Sequence, residues 1–174
     1  MMLLHKVMAS PVGRLKLVAG DGGLKAVLWE HDDPRRVPLE ASRASASHPL
    51  LVETEAQLGQ YFAGERRHFQ LPLDFAGTPF QQAVWRALLD IGYGATRSYE
   101  ELARRIGKPT ACRAVGAANG RNPLSIVVPC HRVLGKRGAL TGFAGGLEAK
   151  SYLLDLERRW AGPSGLRILR ECRS

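Results

Sequence analysis

The most constraining stretch is residues 126–133, Ile-Val-Val-Pro-Cys-His-Arg-Val. Three successive β-branched residues predict a short buried strand, and Pro129 ends it because proline lacks a backbone donor and fixes φ. Cys130 is therefore expected at a stiff strand end, directly before His131 and Arg132. Neighbouring cationic or basic groups raise the thiolate fraction of a cysteine, and the thiolate is the nucleophile. The segment favours a reactive thiol, and the alternative is an inert core thiol.

Length and composition narrow the class of protein. The 174 residues, 45% of them hydrophobic, suffice for one ordinary domain or two small ones. No apolar run approaches the roughly 20 residues of a membrane span, and the first residues do not form a signal peptide. Three cysteines argue against a disulfide framework and for a cytoplasmic location. Because paired Cys-x-x-Cys or His-x-x-x-His spacings are lacking, we expect no structural metal, and we expect no cofactor either.

The positive charge is confined to the second half. Residues 1–75 carry nine Lys/Arg and nine Asp/Glu, whereas residues 76–174 carry sixteen and seven and thus the whole net charge of +9. An excess of Lys/Arg can simply solvate a surface. Its confinement to one half instead suggests a polyanion-binding domain joined to a neutral one, and Cys130 belongs to the basic half.

The first half predicts a small sheet and one helix. Alternation and turn residues predict strands at residues 3–8, 14–20, 24–29 and 69–73. Residues 31–48 read as a polar loop with room for an irregular strand or helix, and residues 49–63 as a helix closed by Gly64. This half shows no catalytic constellation, and residues 74–77 are the expected linker.

The second half predicts three consecutive helices. Thr78 with Gln81 forms a capping box for the first, whose apolar stripe includes Trp85 as a core or interface aromatic. Ser98 is expected to cap the second helix, and Thr110 the third, which runs through Ala118. Two short helices around a glycine turn in a basic context fit a helix-turn-helix, and the alternative is a plain helical hairpin.

A last helix is expected over about residues 147–160. Its apolar positions are Ala149, Tyr152, Leu153, Leu156 and Trp160. Glu157 lies at the edge of this stripe and would need a partner if buried, for which His131 is the obvious candidate. Residues 162–165, Gly-Pro-Ser-Gly, should break the helix and leave a flexible basic tail from about residue 162.

The motifs of the second half resemble the O6-alkylguanine-DNA alkyltransferase (methylated-DNA–protein-cysteine S-methyltransferase) family. They are Thr78-Pro79-Phe80-Gln81, Ser98-Tyr99, Arg113-Ala114-Val115-Gly116, Asn119-Gly120-Arg121-Asn122-Pro123, Val128-Pro129-Cys130-His131-Arg132-Val133 and Gly145-Gly146-Leu147. The resemblance implies an α+β fold with two domains. A small ribonuclease-H-like α/β domain without nuclease function would span residues 1–76. A mostly helical domain of winged helix-turn-helix type would span residues 77–174.

The resemblance also implies DNA repair by direct reversal of alkylation damage. Cys130 would accept the methyl or larger alkyl group of O6-alkylguanine, and also that of O4-methylthymine, irreversibly and in a single turnover. His131 would act as base through a water, and Glu157 would orient it. Asn122 would form a hinge to the recognition helix. Tyr99 would bond guanine N3 or press on a phosphate to help rotate the nucleotide out.

For the DNA contacts, the resemblance implies a monomer that approaches double-stranded DNA from the minor groove. It would need no obligate protein partner and no membrane. Arg113 would intercalate as a finger, although a lone exposed Arg is more often a solvated charge. The other implied DNA-binding positions are Thr110, Ala114, Gly116, Ala117 and Arg121. The implied guanine pocket consists of Asn119, Val133, Phe143, Ala144 and Gly145.

Two departures and two alternatives remain. Phe143 stands where some family members carry Tyr, and the first half lacks the cysteine through which some relatives bind zinc. One alternative is a helix-turn-helix DNA-binding protein whose cysteine is structural. The other is a Cys-His-Glu thiol hydrolase, which would require multiple turnover.

Overall fold

The structure is a computed structural model that describes the backbone of residues 2–171 and the side chains of residues 2–162. Its first half contains a four-stranded sheet in the order β3-β2-β1-β4. The strands are β1 (Leu3–Met8), β2 (Leu15–Gly20), β3 (Gly23–Trp29) and β4 (Ser42–Ala44). The first three are antiparallel neighbours, as the alternation predicted, and β4 runs parallel to β1 from within the polar loop.

Helix α1 (Pro49–Phe62) packs on this sheet. It buries Leu51, Leu58 and Tyr61 completely, and Gly64 follows it in the left-handed region with a φ of 78°. The prediction of a strand at residues 69–73 is wrong. Only an isolated bridge joins Leu24 to Leu73, because Pro72 has no N–H and contributes just a carbonyl, which accepts from Leu24 N at 2.8 Å.

The second half is mostly helical within the described residues. Its helices are α2 (Pro79–Leu88), α3 (Tyr99–Arg105), α4 (Cys112–Gly120) and α5 (Leu147–Glu171), and a two-stranded parallel pair joins β5 (Arg97–Ser98) to β6 (Val133–Leu134). Both hydrogen bonds of the capping box are present: the Thr78 hydroxyl accepts from Gln81 N, and the Gln81 side chain accepts from Thr78 N. The Ser98 hydroxyl accepts from Glu101 N at 3.1 Å, as expected for the cap of α3.

The predicted cap of α4 is wrong. This helix begins at Cys112, and its N-cap is Ala111, without a side-chain capping bond. The chain from Lys108 to Ala111 closes a turn in which Ala111 N donates to Lys108 O at 2.9 Å. Thr110 therefore lies inside that turn, where it cannot take the extended conformation that a capping residue needs.

Helix α5 differs from its prediction in two ways. Ala149, Leu153 and Leu156 are buried, but Tyr152 and Trp160 are 39% and 42% exposed, so the apolar stripe is narrower than expected. Gly162 has a non-helical φ of 60° and kinks the helix where a break was expected. The backbone is helical again to Glu171, where a flexible tail was predicted, and residues 172–174 of that tail lie outside the described residues.

The two halves share one hydrophobic core. Val27 in β3 forms a parallel bridge with Leu124, and the Trp29 indole donates to the Ser125 hydroxyl at 3.1 Å. The Arg36 guanidinium, paired with Asp32, donates to the carbonyl of Asn122 at 2.8 Å. The segment that leads to Cys130 is thus held against the first half before it reaches the cysteine.

Candidate functional site

The residues before Cys130 form a tight turn rather than the predicted strand. Ile126 lies in the left-handed region with a φ of 73°, and Ser125 bridges to Val128 across the turn. Such a conformation costs a β-branched residue on the order of 1–3 kcal/mol. The complete burial of Ile126, which is 1% exposed, offsets that strain. An apolar run of this length predicts a strand because periodicity alone does not distinguish a short buried strand from a buried turn.

Cys130 opens a 3₁₀ turn, Cys130–Arg132, and is only 5% exposed. Burial raises the pKa of its thiol, whereas a hydrogen bond with Asn122 and the charges of Arg36 and Lys150 act in the opposite direction. Because burial prevails, the thiol is protonated in this closed arrangement. Nucleophilic attack therefore requires a base that removes the proton.

Asn122 ties this turn to the end of α4. Its side-chain amide donates to Val128 O at 2.8 Å, and its side-chain oxygen accepts from Leu124 N at 3.0 Å. The residue is fully buried. One side chain therefore fixes both ends of the turn that precedes Cys130.

His131 and Glu157 meet as the sequence suggested, with 2.7 Å between His131 Nε2 and Glu157 Oε1. Burial lowers the pKa of His131, and its bonds to Glu157 do not overcome this effect. Burial also opposes ionisation of Glu157, but its bonds and charge interactions with His131 and Arg132 lower its pKa to about 2. Glu157 is therefore ionised and His131 is neutral.

This charge state fixes the tautomer of His131. Nε2 carries the proton and donates it to the carboxylate, so Nδ1 holds the free lone pair. Nδ1 is buried and has no hydrogen-bond partner among the described residues. The imidazole can therefore accept a proton at Nδ1, directly or through a water.

Arg132 is part of the site and was not predicted to be. Its Nε donates to Glu157 Oε2 at 2.9 Å and its Nη2 to Oε1 at 2.8 Å, while Nη1 donates to Ile91 O at 2.6 Å. This forked pairing offsets the charge of the buried carboxylate, so it adds to the larger effect of burial in keeping His131 uncharged. The sequence signal was its position directly after His131.

Lys150 is a second buried cation that the sequence reasoning missed. Its Nζ donates to Val133 O at 2.7 Å and to Thr141 O at 3.3 Å. Burial lowers its pKa, and the proximity of Cys130 opposes that change. Lys150 and Glu157 are seven residues apart, which places both on the core side of α5. That spacing was the available signal.

Helix α4 presents an exposed surface of small residues. Arg113, Ala114 and Ala117 are exposed, Gly116 is half-buried, and Val115 and Ala118 face the core. Trp85 holds the helix in place, because its indole donates to Ala118 O at 2.9 Å. The surface thus projects a single long cation, Arg113.

Tyr99 lies beside α4, since its ring is 3.9 Å from the position that a Cβ on Gly116 would take. Its hydroxyl pairs with Thr141 Oγ1 at 3.1 Å. Tyr99 and Cys112 line one cleft with the turn Lys136–Gly138. Thr110 is exposed, and Arg121 Nη1 bonds the carbonyls of Arg35 and Arg36 at 3.3 and 3.4 Å, so this cation is engaged by the first half.

Of the residues expected to form the guanine pocket, Phe143 and Gly145 pack against Trp29, whereas Ala144 and Asn119 do not share this contact. Phe143 packs edge-on against Trp29 at 5.3 Å, and a Cβ on Gly145 would lie 2.6 Å from the same ring, so this loop rests on β3. Lys150 links the loop to Val133 through the bonds described above. Ala144 is exposed, and Asn119 is buried with an unpaired side-chain oxygen among the described residues.

Comparison with known proteins identifies the family. Residues 3–75 match the ribonuclease-like domain of 6-O-methylguanine DNA methyltransferase, and residues 79–159 match the DNA binding domain of the same family. The chain belongs to this family. The methyltransferase fold thus combines a ribonuclease-like first domain with a helical DNA-binding domain, as the sequence motifs implied.

Relatives align over nearly the whole methyltransferase chain. A methylated-DNA–protein-cysteine methyltransferase of Mycolicibacterium paratuberculosis is 50% identical over 161 residues, which cover 91% of this chain and 94% of the relative. One from Methanosarcina acetivorans is 44% identical, covering 89% and 98%. The crystal structure of Mycobacterium tuberculosis OGT in complex with DNA superposes with a TM-score of 0.83 at 45% identity, covering 90% of this chain and 94% of that one.

No helix within the described part of the chain is long and apolar enough to cross a membrane.

Proposed function

We propose that this methyltransferase repairs DNA by moving the alkyl group of O6-alkylguanine, and that of O4-methylthymine, to Cys130 in one irreversible turnover. One observation carries the proposal: in one 3₁₀ turn, a buried thiol directly precedes a neutral imidazole whose proton is fixed on the Glu157 side. Its position in a basic domain beside an exposed, small-residue helix supports DNA as the carrier of the substrate.

The chemical step balances without a cofactor. Nδ1 of His131 takes the thiol proton through a water, and Glu157 stabilises the resulting imidazolium. The Cys130 sulfur attacks the alkyl carbon in line, a C–S bond forms, and the carbon–O6 bond breaks. The electron pair of the broken bond stays on guanine, which takes up a proton. A thioether does not hydrolyse under these conditions, so each protein molecule acts once.

The substrate must leave the base stack before it can react. The alkyl carbon is out of reach inside a duplex, and flipping the nucleotide costs a few kcal/mol. We propose that Arg113 enters the vacated space and that Tyr99 bonds guanine N3 or presses on the flanking phosphate. The small side chains of α4 allow a close approach in the minor groove. The loop around Phe143 and the backbone of Val133 would border the flipped base.

The other parts of the proposal concern organisation. We place the domain division at residues 76 and 77 and expect a monomer on DNA, with no obligate protein partner. Asn122 acts as the hinge that couples the position of α4 to Cys130, since its side chain bonds both ends of the intervening turn. The chemistry needs a free thiol, which favours a reducing compartment.

Mass spectrometry of the protein tests the reaction. Incubation with duplex DNA that carries O6-methylguanine should add one methyl mass to the peptide containing Cys130, in a 1:1 ratio at completion. Cys130→Ser should bind the same duplex and leave the methyl on the DNA. DNA binding without any methyl transfer by the unaltered protein would instead support a structural cysteine. Repeated turnover of an ester or amide would support a thiol hydrolase.

One rate measurement and one binding measurement test the DNA contacts. Arg113→Ala should slow repair of duplex more than attack on the free modified base, whereas Arg158→Ala, which removes an exposed arginine of α5, should affect neither. Equal losses on both substrates would contradict the finger role. The logarithm of the binding constant should fall with the logarithm of the salt concentration by about 0.9 per neutralised phosphate. A binding constant that does not change with salt concentration would show that the protein does not contact the phosphates.

A further inference from the structure

The carboxylate of Glu157 receives a hydrogen bond from the ribonuclease-like domain. Tyr61, on α1, donates from its hydroxyl to Glu157 Oε1 at 2.9 Å. Tyr61 is completely buried and Glu157 is 1% exposed. This bond joins residues that are 96 positions apart in the sequence. It links the first domain, which showed no catalytic motif, to the group that orients His131.

We propose that Tyr61 is a positioning residue for alkyl transfer, through which the first domain sets the orientation of the Glu157 carboxylate. The inference rests on the proposed function, because it assigns Tyr61 a role in the same reaction. It gives the first domain a part in the chemistry beyond packing. Tyr61 does not touch the reacting atoms and acts through Glu157 and His131.

The Tyr61 ring is held rigidly, so its hydroxyl is a fixed reference point. Three aromatic neighbours surround it: Phe62 at 5.4 Å, Phe69 at 5.6 Å and Tyr93 at 6.2 Å between ring centroids. The first and third meet it edge-on, a favourable geometry for aromatic pairs. The position of the hydroxyl therefore follows from α1 and from these aromatic neighbours, two of which belong to the first domain, rather than from α5, which carries Glu157.

Glu157 Oε1 is a shared acceptor. It accepts from Tyr61 at 2.9 Å, from His131 Nε2 at 2.7 Å and from Arg132 Nη2 at 2.8 Å. Oε2 accepts from Arg132 Nε at 2.9 Å. Loss of the tyrosine donor would leave Oε1 with His131 and Arg132 alone. The negative charge on Oε1 would then stabilise a protonated His131 more strongly, and the carboxylate would lose one restraint on its rotation.

Whether loss of the Tyr61 hydroxyl raises or lowers the pKa of His131 depends on the titratable and charged groups that surround the two residues. They are Glu157 and Lys150 on α5, Arg132 and Cys130 in the 3₁₀ turn, Tyr61 on α1, and Tyr93 after α2 with Arg67 over its ring. Burial and the nearby Glu157 charge keep the pKa of Tyr61 well above its ordinary value, so its hydroxyl remains a donor at any working pH. Its removal acts on His131 only through Glu157, and it raises the pKa of His131.

Tyr61→Phe isolates the hydroxyl because it keeps the ring. The variant should transfer methyl about tenfold more slowly at neutral pH, by analogy with the lower end of the loss seen when a group that orients a metal-binding side chain is removed. The acid limb of its pH–rate profile should move to higher pH, because His131 must be neutral to act as base. Accordingly, the difference from the unaltered protein should narrow as the pH rises.

Thr54→Val provides a matched control on the same helix. Thr54 is fully buried, and its hydroxyl bonds only Leu50 O, at 2.7 Å, among the described residues. This variant also loses a buried hydroxyl but should keep the rate and the pH profile. A merely structural role for Tyr61 predicts that both variants lose stability and that neither moves the acid limb.

The outcomes separate this inference from the proposed function. Tyr61→Phe should still end with one methyl on Cys130, only later than the unaltered protein. If the unaltered protein methylates Cys130 and Tyr61→Phe matches its rate and profile, the positioning role is overturned while the function stands. A loss in Tyr61→Phe that is equal at every pH and is matched by Thr54→Val also overturns it. Absence of methyl on Cys130 of the unaltered protein overturns both.

Discussion

Replacing Glu157 by Gln should remove a large part of the stability of this fold. The substitution keeps the shape of the side chain but leaves the forked guanidinium of Arg132, itself 7% exposed, without its counter-charge. Removing one partner of a buried ion pair typically costs about 3–5 kcal/mol. Domains of this size are stable by only about 5–15 kcal/mol, so the effect is well within reach of denaturant unfolding.

The pKa of Glu157 gives an independent magnitude and a pH dependence. The value falls from 4.5 to about 2 on folding, and each unit corresponds to about 1.4 kcal/mol, which gives about 3 kcal/mol. Because the folded pKa is the lower one, this contribution is complete well above pH 4.5 and is lost as the pH falls through about 2. Roughly half of it should remain at pH 3.

Urea unfolding of the unaltered protein and of Glu157→Gln at pH 7 and pH 3 measures how much stability the carboxylate contributes. Glu157→Gln should be less stable than the unaltered protein by about 3 kcal/mol at pH 7 and by about half as much at pH 3. Asp155→Asn is the control, since this carboxylate of the same helix is 69% exposed and pairs only with Arg158 among the described residues. It should change stability by less than about 0.5 kcal/mol at either pH. A gap for Glu157→Gln that does not narrow in acid would refute the reasoning.

Three further substitutions test individual contacts. Thr78→Ala removes the cap of α2 and should lower the free energy of unfolding by about 1 kcal/mol, measured by urea titration, with Thr110→Ala nearly neutral. Asn122→Ala leaves the buried Leu124 N without its acceptor and removes one of the two donors to Val128 O, so stability should fall by about 1–3 kcal/mol and methyl transfer should slow. Gly145→Ala places a Cβ 2.6 Å from the Trp29 ring; a shifted indole fluorescence is expected, and an unchanged spectrum and Tm would contradict the close approach.

The sequence predicted what depends on local patterns. The three N-terminal strands, α1 and the cap of α2 follow from alternation, helical periodicity and capping chemistry, each of which acts over a few residues. The pairing of His131 with Glu157 was also accessible, because a carboxylate at the edge of an apolar stripe needs a partner. Each of these features has a recognisable signal within a few residues of its own position in the sequence.

The remaining features depend on contacts between distant segments. The run from Ile126 to Val128 reads as a strand, but bonds to β3 and to Asn122 bend it into a turn that includes a left-handed residue. Nothing near Lys150 in the sequence indicates that its Nζ bonds the carbonyl of Val133. Likewise, the bond from Tyr61 to Glu157 joins two domains and has no local signature.

The core shared by the two domains limits how this protein can be recombined with its relatives. A chimera that joins the first domain of one family member to the second domain of another must preserve three cross-domain pairs: Trp29 with Ser125, Arg36 with the backbone of Asn122, and Tyr61 with Glu157. A mismatch at either of the first two pairs would weaken the contacts that hold the segment before Cys130 against the first domain. A mismatch at the third pair would change the orientation of Glu157, and with it the ability of His131 to take the thiol proton. Sequence drift in the non-catalytic domain is therefore constrained by chemistry that occurs in the other.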